Sequence, residues 1–199
     1  MKIPENIAEL NKLPVHLMGL IFYKKSPRYA GNLNPESLLQ LQVQPEITGV
    51  FVNEAPEIII QAIKKYHLKY VQLHGMESPV TCKEMRNKGV KVIKAFSIEE
   101  KEDFKKCIFY ENVCDFFLFD TKTSQHGGSG KKFDWNTLNA YEGNTPFFLS
   151  GGIGPEDAYS IKQLNHPQFY GIDLNSRFET EPGIKDIAKL KTFIKELSI

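Results

Sequence analysis

The stretch FFLFDTKTSQHGGSGKKFDW, residues 116–135, sets out its residues in the order a catalytic segment would need. Phe116, Phe117, Leu118 and Phe119 form a short continuous apolar run, which suits a strand covered on both faces of a parallel sheet. Asp120 stands where that strand emerges, so its carboxyl group is placed to exchange a proton with a ligand. Gly127, Gly128 and Gly130, with Ser129 among them, supply backbone freedom and N–H groups that can close over an anion. Lys122, Lys131 and Lys132 add positive charge. The same composition also fits a strand followed by a solvated, hairpin-like loop, so the choice rests on the rest of the chain.

Two later segments carry a related chemistry. SGGIGPED, residues 150–157, sets Gly151 and Gly152 beside a helix start, and DLNSRFE, residues 173–179, places Asn175 and Ser176 just after a strand. Late loops of this kind make phosphate sites from backbone N–H groups and the positive end of a short helix, which points to a sugar phosphate as ligand. For Ser150-Gly151-Gly152 taken alone, a tight strand-to-helix turn is an equal explanation. Five histidines, His16, His67, His74, His126 and His166, are scattered without metal-ligand spacing, so a metal is not expected. His74 ends a strand and can either touch substrate or hydrogen-bond a neighbouring loop.

These residues must be positioned by the elements around them. A helix is predicted over residues 4–12, and strands over 17–22, 47–52, 69–74, 90–95, 114–119, 146–150 and 169–174. Helices follow them, with starts marked by Asn34-Pro35-Glu36, Pro56 and Ser78-Pro79, and by Ser97 in a capping-box spacing with Glu100. Gly89 is a natural stop for the helix from Ser78, and Ile184, Ile187, Leu190, Ile194 and Leu197 fall on one side of a final helix. Strands alternating with helices imply a parallel sheet with helices outside, and the absence of a G-x-G-x-x-G after the first strand weighs against a dinucleotide-binding open sheet. The expectation is a TIM-type (β/α)8 barrel forming a single domain over residues 1–199. Seven strands are present where such a barrel has eight, and the shortfall lies at the front. Ligands of such barrels sit at the C-terminal strand ends, which gathers Arg28, Asn53, His74, Asp120, Ser150 and Asp173 on one face.

Composition removes several other classes. A formal net charge of +1, with no Lys/Arg cluster interleaved with aromatic residues, gives no field or stacking surface for nucleic acid. No apolar run approaches a membrane span, and the opening MKIPENIAELNK lacks the apolar core of a signal peptide, so a cytoplasmic protein without a membrane partner is expected. Cys82, Cys107 and Cys114 are an odd count without C-x-x-C spacing, read as reduced packing thiols.

MGLIFYKKSPRYAG, GVFVNE, VQLHGMESP, VIKAF, FDTKTSQHGGSGKKFDW, LSGGIGPEDA and PGIKD, taken together and in order, resemble the phosphoribosylanthranilate isomerase family of tryptophan biosynthesis over nearly the whole chain. The resemblance implies an Amadori rearrangement of a small phosphoribosyl substrate without metal or cofactor. In that reading Asp120, the aspartate of the FDTK-type motif, is the general acid that opens the furanose ring. Arg28 anchors the anthranilate carboxylate, and Gly128, Gly151, Gly152, Asn175 and Ser176 surround the substrate, with His74 and Asp173 beside them. Arg177 stands where the family often has a small residue. The family also begins with a strand ending in K-[IV]-C-G, whose cysteine is the general base. No such segment occurs here, and Met1 aligns just after the Cys-Gly pair, so the expectation is that strand one and the catalytic thiol are missing and that turnover is impaired. Two alternatives stand beside it: a non-catalytic protein that binds phosphoribosyl compounds, and a related sugar-phosphate barrel enzyme such as indole-glycerol-phosphate synthase.

Overall fold

A computed structural model of the chain describes residues 1–121 and 132–198. Seven strands pair in parallel in the order in which they occur: β1 (Leu17–Ile21), β2 (Glu46–Phe51), β3 (Tyr70–Leu73), β4 (Lys91–Ile98), β5 (Phe116–Thr121), β6 (Phe147–Leu149) and β7 (Phe169–Ile172). The sheet curls as a half-barrel, with β1 and β7 as its two edges. Because every pairing is parallel, the C-terminal ends of all seven strands lie on one rim.

Local sequence chemistry explains most connections. In α2 (Pro35–Gln40) the Asn34 side chain accepts from the Glu36 N–H, and proline fills the first turn. In α3 (Pro56–Tyr66), preceded by α1 (Pro4–Leu10) and α2, Glu57 sits at the positive end and Lys64 and Lys65 at the negative end, and His67 closes the helix in the left-handed region at φ 51°. In α4 (Pro79–Arg86) Ser78 accepts from the Thr81 N–H. After β5 the connections include a 3-10 helix, Trp135–Ala140, and α5 (Ala158–Lys162), and the last element is α6 (Ile187–Ser198).

Two local readings of the sequence are corrected. Ser97 does not cap a helix: β4 runs on through Ile98 because β5 offers Asp120 and Thr121 as register partners, and Glu100 and Asp103 supply the capping box of the 3-10 helix Lys101–Tyr110 instead. Ile184 is not on the final helix. It lies in a two-stranded antiparallel hairpin of β8 (Glu179–Glu181) and β9 (Ile184–Lys185), turned at Gly183 with φ +86°.

Alternation along the strands divides the packing. Phe117, Phe119, Phe147 and Leu149 join the main core beneath the helices, whereas Ile93, Ala95, Phe116, Leu118 and Phe148 form a second cluster on the opposite sheet face. By the same period of two, Asp120 follows Phe116 and Leu118 on that second face, at the rim. Cys82, Cys107 and Cys114 are buried free thiols of the main core. Among the described residues no helix is long and apolar enough to cross a membrane.

One buried charge pair braces the rim from below. Lys94 of β4 is 2% exposed, and its ammonium donates to the carbonyls of Leu73 (3.0 Å), Gly75 (2.8 Å) and Ala95 (3.0 Å) and to the Glu77 carboxylate (3.3 Å). Glu77 in turn accepts from the N–H groups of Asn53 (2.8 Å) and Gly75 (2.9 Å), so one ion pair ties the loops after β2 and β3 together. Lys94→Met would leave Glu77 buried without its counter-charge, and we expect a loss of about 3–5 kcal/mol in chemical denaturation, partly recovered when Glu77→Gln is added. A loss below about 1 kcal/mol would place the pair among exposed salt bridges in energetic terms and contradict this role.

Candidate active site

Asp120 sits at the centre of the rim. Its Oδ1 accepts from the Thr121 N–H (2.9 Å), and its Oδ2 lies 3.3 Å from Nε2 of His74, the residue that follows β3. The other ring nitrogen, Nδ1, is 2.8 Å from the side-chain nitrogen of Gln72. With the Gln72 amide donating to Nδ1, the imidazole carries its hydrogen on Nε2 and donates it to Asp120. Both side chains of the pair are 27% exposed, so a ligand on the rim can reach them. His74 is thus held between Asp120 and Gln72, a pairing that neither sequence alternative named.

The neighbouring strands add a second carboxylate. Ser150, just beyond β6, donates through Oγ to Asp173 Oδ2 (3.1 Å), just beyond β7. Desolvation, aided by the negative charge of Asp120, raises the Asp173 carboxyl above its ordinary range, against the opposing influence of Lys185, the Ser150 hydrogen bond and His74. Four residues from β3, β5, β6 and β7 are therefore brought together, as their positions at strand ends implied.

The glycines after β6 have a steric reason to be glycines. Gly151 and Gly152 adopt φ +92° and +68°, and a Cβ on Gly151 would strike Thr121 Oγ1 and come within 2.7 Å of Asp120 Oδ1. The turn thus passes directly over the carboxylate. It leads into the 3-10 turn Pro155–Asp157, where Asp157 accepts from the Gly154 N–H (2.7 Å) and from Lys132 Nζ (2.6 Å). Asn175 and Ser176 open the loop after β7, Ser176 beginning a 3-10 turn, Ser176–Phe178. Arg177 reaches outward to Glu156 (2.8 Å) and is exposed. Asn53 is occupied by the scaffold, its Oδ1 accepting from the Met76 N–H (2.6 Å). Gly128 lies outside the described residues.

Arg28 comes with a partner that the sequence did not reveal. Its Nε donates to both oxygens of Glu179 (3.2 and 2.9 Å) and its Nη2 lies 2.8 Å from Oε2, leaving the Nη1 side of the guanidinium uncommitted among the described residues. Glu179 also receives Lys185 Nζ at 3.4 Å. Burial pushes the Glu179 carboxyl upward, but the hydrogen bond from Arg28 and the charges of Lys185 and Arg28 prevail and leave it below its ordinary value. Both missed residues stand in the β8–β9 hairpin, whose one sequence signal is the Pro182-Gly183 turn pair. Among the described residues no group of three or more His, Cys, Asp or Glu could hold a metal ion.

Carboxylates, a histidine and glycine turns on the C-terminal rim of a curled parallel sheet define a β/α-barrel-type enzyme site. The family model described as N-(5'phosphoribosyl)anthranilate (PRA) isomerase matches residues 2–196. The N-(5'-phosphoribosyl)anthranilate isomerase of Parabacteroides distasonis is 48% identical over 199 residues, covering 99% of this chain and 90% of that protein. The crystal structure of the phosphoribosylanthranilate isomerase from Thermotoga maritima superposes with a TM-score of 0.81 at 32% identity, covering 100% of this chain and 95% of that one. Another phosphoribosylanthranilate isomerase, solved in complex with reduced 1-(o-carboxyphenylamino)-1-deoxyribulose 5-phosphate, is 28% identical with a TM-score of 0.77 over 100% of this chain and 95% of its own. The chain belongs to the phosphoribosylanthranilate isomerase family, the isomerases of tryptophan biosynthesis.

The state of Asp173 makes the stability of the fold depend on pH in a definite direction. Its folded pKa lies above the ordinary 3.8, so as pH rises the unfolded chain releases this proton first. The folded state then binds more protons, stability falls as pH rises through that window, and the penalty is complete once pH exceeds the raised value. Asp173→Asn should raise the thermal midpoint at pH 7 relative to the parent, and the advantage should shrink toward zero as the buffer is taken below 3.8. A variant that melts lower than the parent at pH 7 would contradict this.

Proposed function

We propose that this site converts N-(5-phosphoribosyl)anthranilate to 1-(2-carboxyphenylamino)-1-deoxyribulose 5-phosphate, with Asp120 as general acid. The observation that carries the reading is the Asp120–His74 pair on the rim, beneath the Gly151 turn, in a chain of this family. Asp120 gives its proton to the furanose ring oxygen, and the ring opens to a Schiff base. The carboxylate left behind keeps two donors, the Thr121 N–H and the His74 Nε2–H, so its developing negative charge is met by dipoles already in place. Removal of the C2 proton then moves the double bond toward C1–C2, and the enol produced tautomerises to the ketose.

The two ends of the substrate are anionic, and the rim offers a place for each. The uncommitted side of Arg28 suits the planar anthranilate carboxylate. Backbone at Gly128, Gly151, Gly152, Asn175 and Ser176 would hold the phosphate. The base for the C2 proton is a separate matter. Cys82, Cys107 and Cys114 are buried in the main core, in α4, in the 3-10 helix Lys101–Tyr110 and just ahead of β5. Burial pushes the Cys107 thiol up to about 12, while the hydrogen bond between Cys82 and Cys114 pushes Cys114 up, together with burial, and Cys82 down. In this proposal the base is the strand-end cysteine of the family's K-[IV]-C-G motif, a role that none of these three thiols takes. A protein lacking that thiol would bind the substrate and open its ring with poor coupling to the rearrangement.

The test of the acid is Asp120→Asn, which keeps the shape of the side chain and cannot donate the acid proton. Affinity for the reduced product analogue should be retained while kcat falls by about a hundredfold to ten-thousandfold. Turnover within tenfold of the parent would remove Asp120 from this role.

A further inference from the structure

The charged residues around Arg28 form a continuous chain rather than isolated pairs. Arg28 lies in the loop after β1, while Leu174 and Asn175 lie in the loop after β7. These are the two edge strands, so among the described residues no backbone ladder sets the distance between the loops. The β8–β9 hairpin reaches across instead. Glu179 of β8 takes the Arg28 fork on one side and Lys185 Nζ on the other, and it also accepts from the Gly183 N–H (3.2 Å). Lys185 continues the chain, its ammonium donating to the Leu174 carbonyl (2.9 Å) and to Asn175 Oδ1 (3.0 Å). The backbone of Lys185 is fixed from a third direction by Asn6 of α1, whose side chain accepts from the Lys185 N–H (2.7 Å) and donates to its carbonyl (2.9 Å).

Side-chain exposures are low along the whole path: 13% for Arg28, 4% for Glu179 and 11% for Lys185. Charges held this far from water do not drift among alternative partners, because each would be left uncompensated on leaving.

We infer that Glu179 and Lys185 are positioning residues, Glu179 aiming the Arg28 guanidinium at the substrate carboxylate and Lys185 holding the loop of Asn175 at a fixed distance from it. This rests on Arg28 being the carboxylate anchor. It goes further in assigning the hairpin the task of a ruler between the two anionic ends of the ligand, which selects for ligands whose carboxylate and phosphate are correctly spaced.

The experiment titrates the chain calorimetrically with two probes: reduced 1-(o-carboxyphenylamino)-1-deoxyribulose 5-phosphate, which has both anionic ends, and ribose 5-phosphate, which has only the phosphate. Glu179→Gln should weaken the first probe about tenfold and leave the second within about twofold, and it should have no further effect in an Arg28→Ala background, as coupled neighbours behave in a double-mutant cycle. Retained ribose 5-phosphate binding shows in the same titration that the variant is folded. Lys185→Met should weaken both probes, and if that variant does not fold, Lys185→Gln, which keeps a donor on a shorter stem, is read in its place. Additive losses from Glu179→Gln and Arg28→Ala overturn the inference. So does tighter binding of the first probe by Glu179→Gln, which would make Glu179 a competitor of the substrate for Arg28. Unchanged affinity in Arg28→Ala alone overturns instead the assignment of Arg28 as anchor.

Discussion

Each parallel pairing in this sheet requires the chain to cross back over one face before the next strand begins, so all seven strands end at the same rim. Asp120, His74, Ser150 and Asp173 come from four strands scattered over a hundred positions of sequence, and only that common polarity brings them within reach of one another. The requirement explains the character of the strands. Runs such as Phe116 to Phe119 must be apolar on both sides, since one face meets the helices and the other the interior of the curl. Polarity enters only where a strand stops.

What parallel pairing cannot supply is precision in the loops beyond the rim, and buried charges provide it. Lys94 is placed by β4, yet three of the groups it binds, Leu73, Gly75 and Glu77, belong to the end of β3 and the loop after it. Arg28, Glu179 and Lys185 do the same work between the loops after β1 and β7. In both cases desolvating the ions is costly, and an apolar substitute of similar volume could pack as well. It could not fix a loop carbonyl or a guanidinium plane in direction. That difference explains why ionic groups are used beside a site in which angles matter.

Much of this was legible in the chain itself. Strand cores stand out as apolar runs, and the starts of α2, α3 and α4 are marked by Pro35, Pro56 and Pro79 behind polar or small residues, so these elements fall within a residue or two of their reading. Asp120 and the Gly151-Gly152 turn were visible because strand-end carboxylates and paired glycines have a local physical reason to be there. The misreadings share a different cause. Ser97 has the spacing of a cap, but the extension of β4 is decided by a partner strand more than twenty residues away. Ile184 continues a helical periodicity, but Gly183 and the two hydrogen bonds from Asn6 hold that segment in a hairpin. Glu179 meets Arg28 across 151 positions of sequence, and no window of local pattern contains both.

The proposed role of Asp120 as proton donor is tested most directly by the rate of N-(5-phosphoribosyl)anthranilate conversion in two variants, Asp120→Glu, which keeps a carboxyl group, and Asp120→Asn, which does not. Asp120→Glu should retain a clearly larger share of the parent rate, while both variants still bind the reduced product analogue. Equal rates in the two variants would contradict the assignment, because the ring-opening proton would then come from another group.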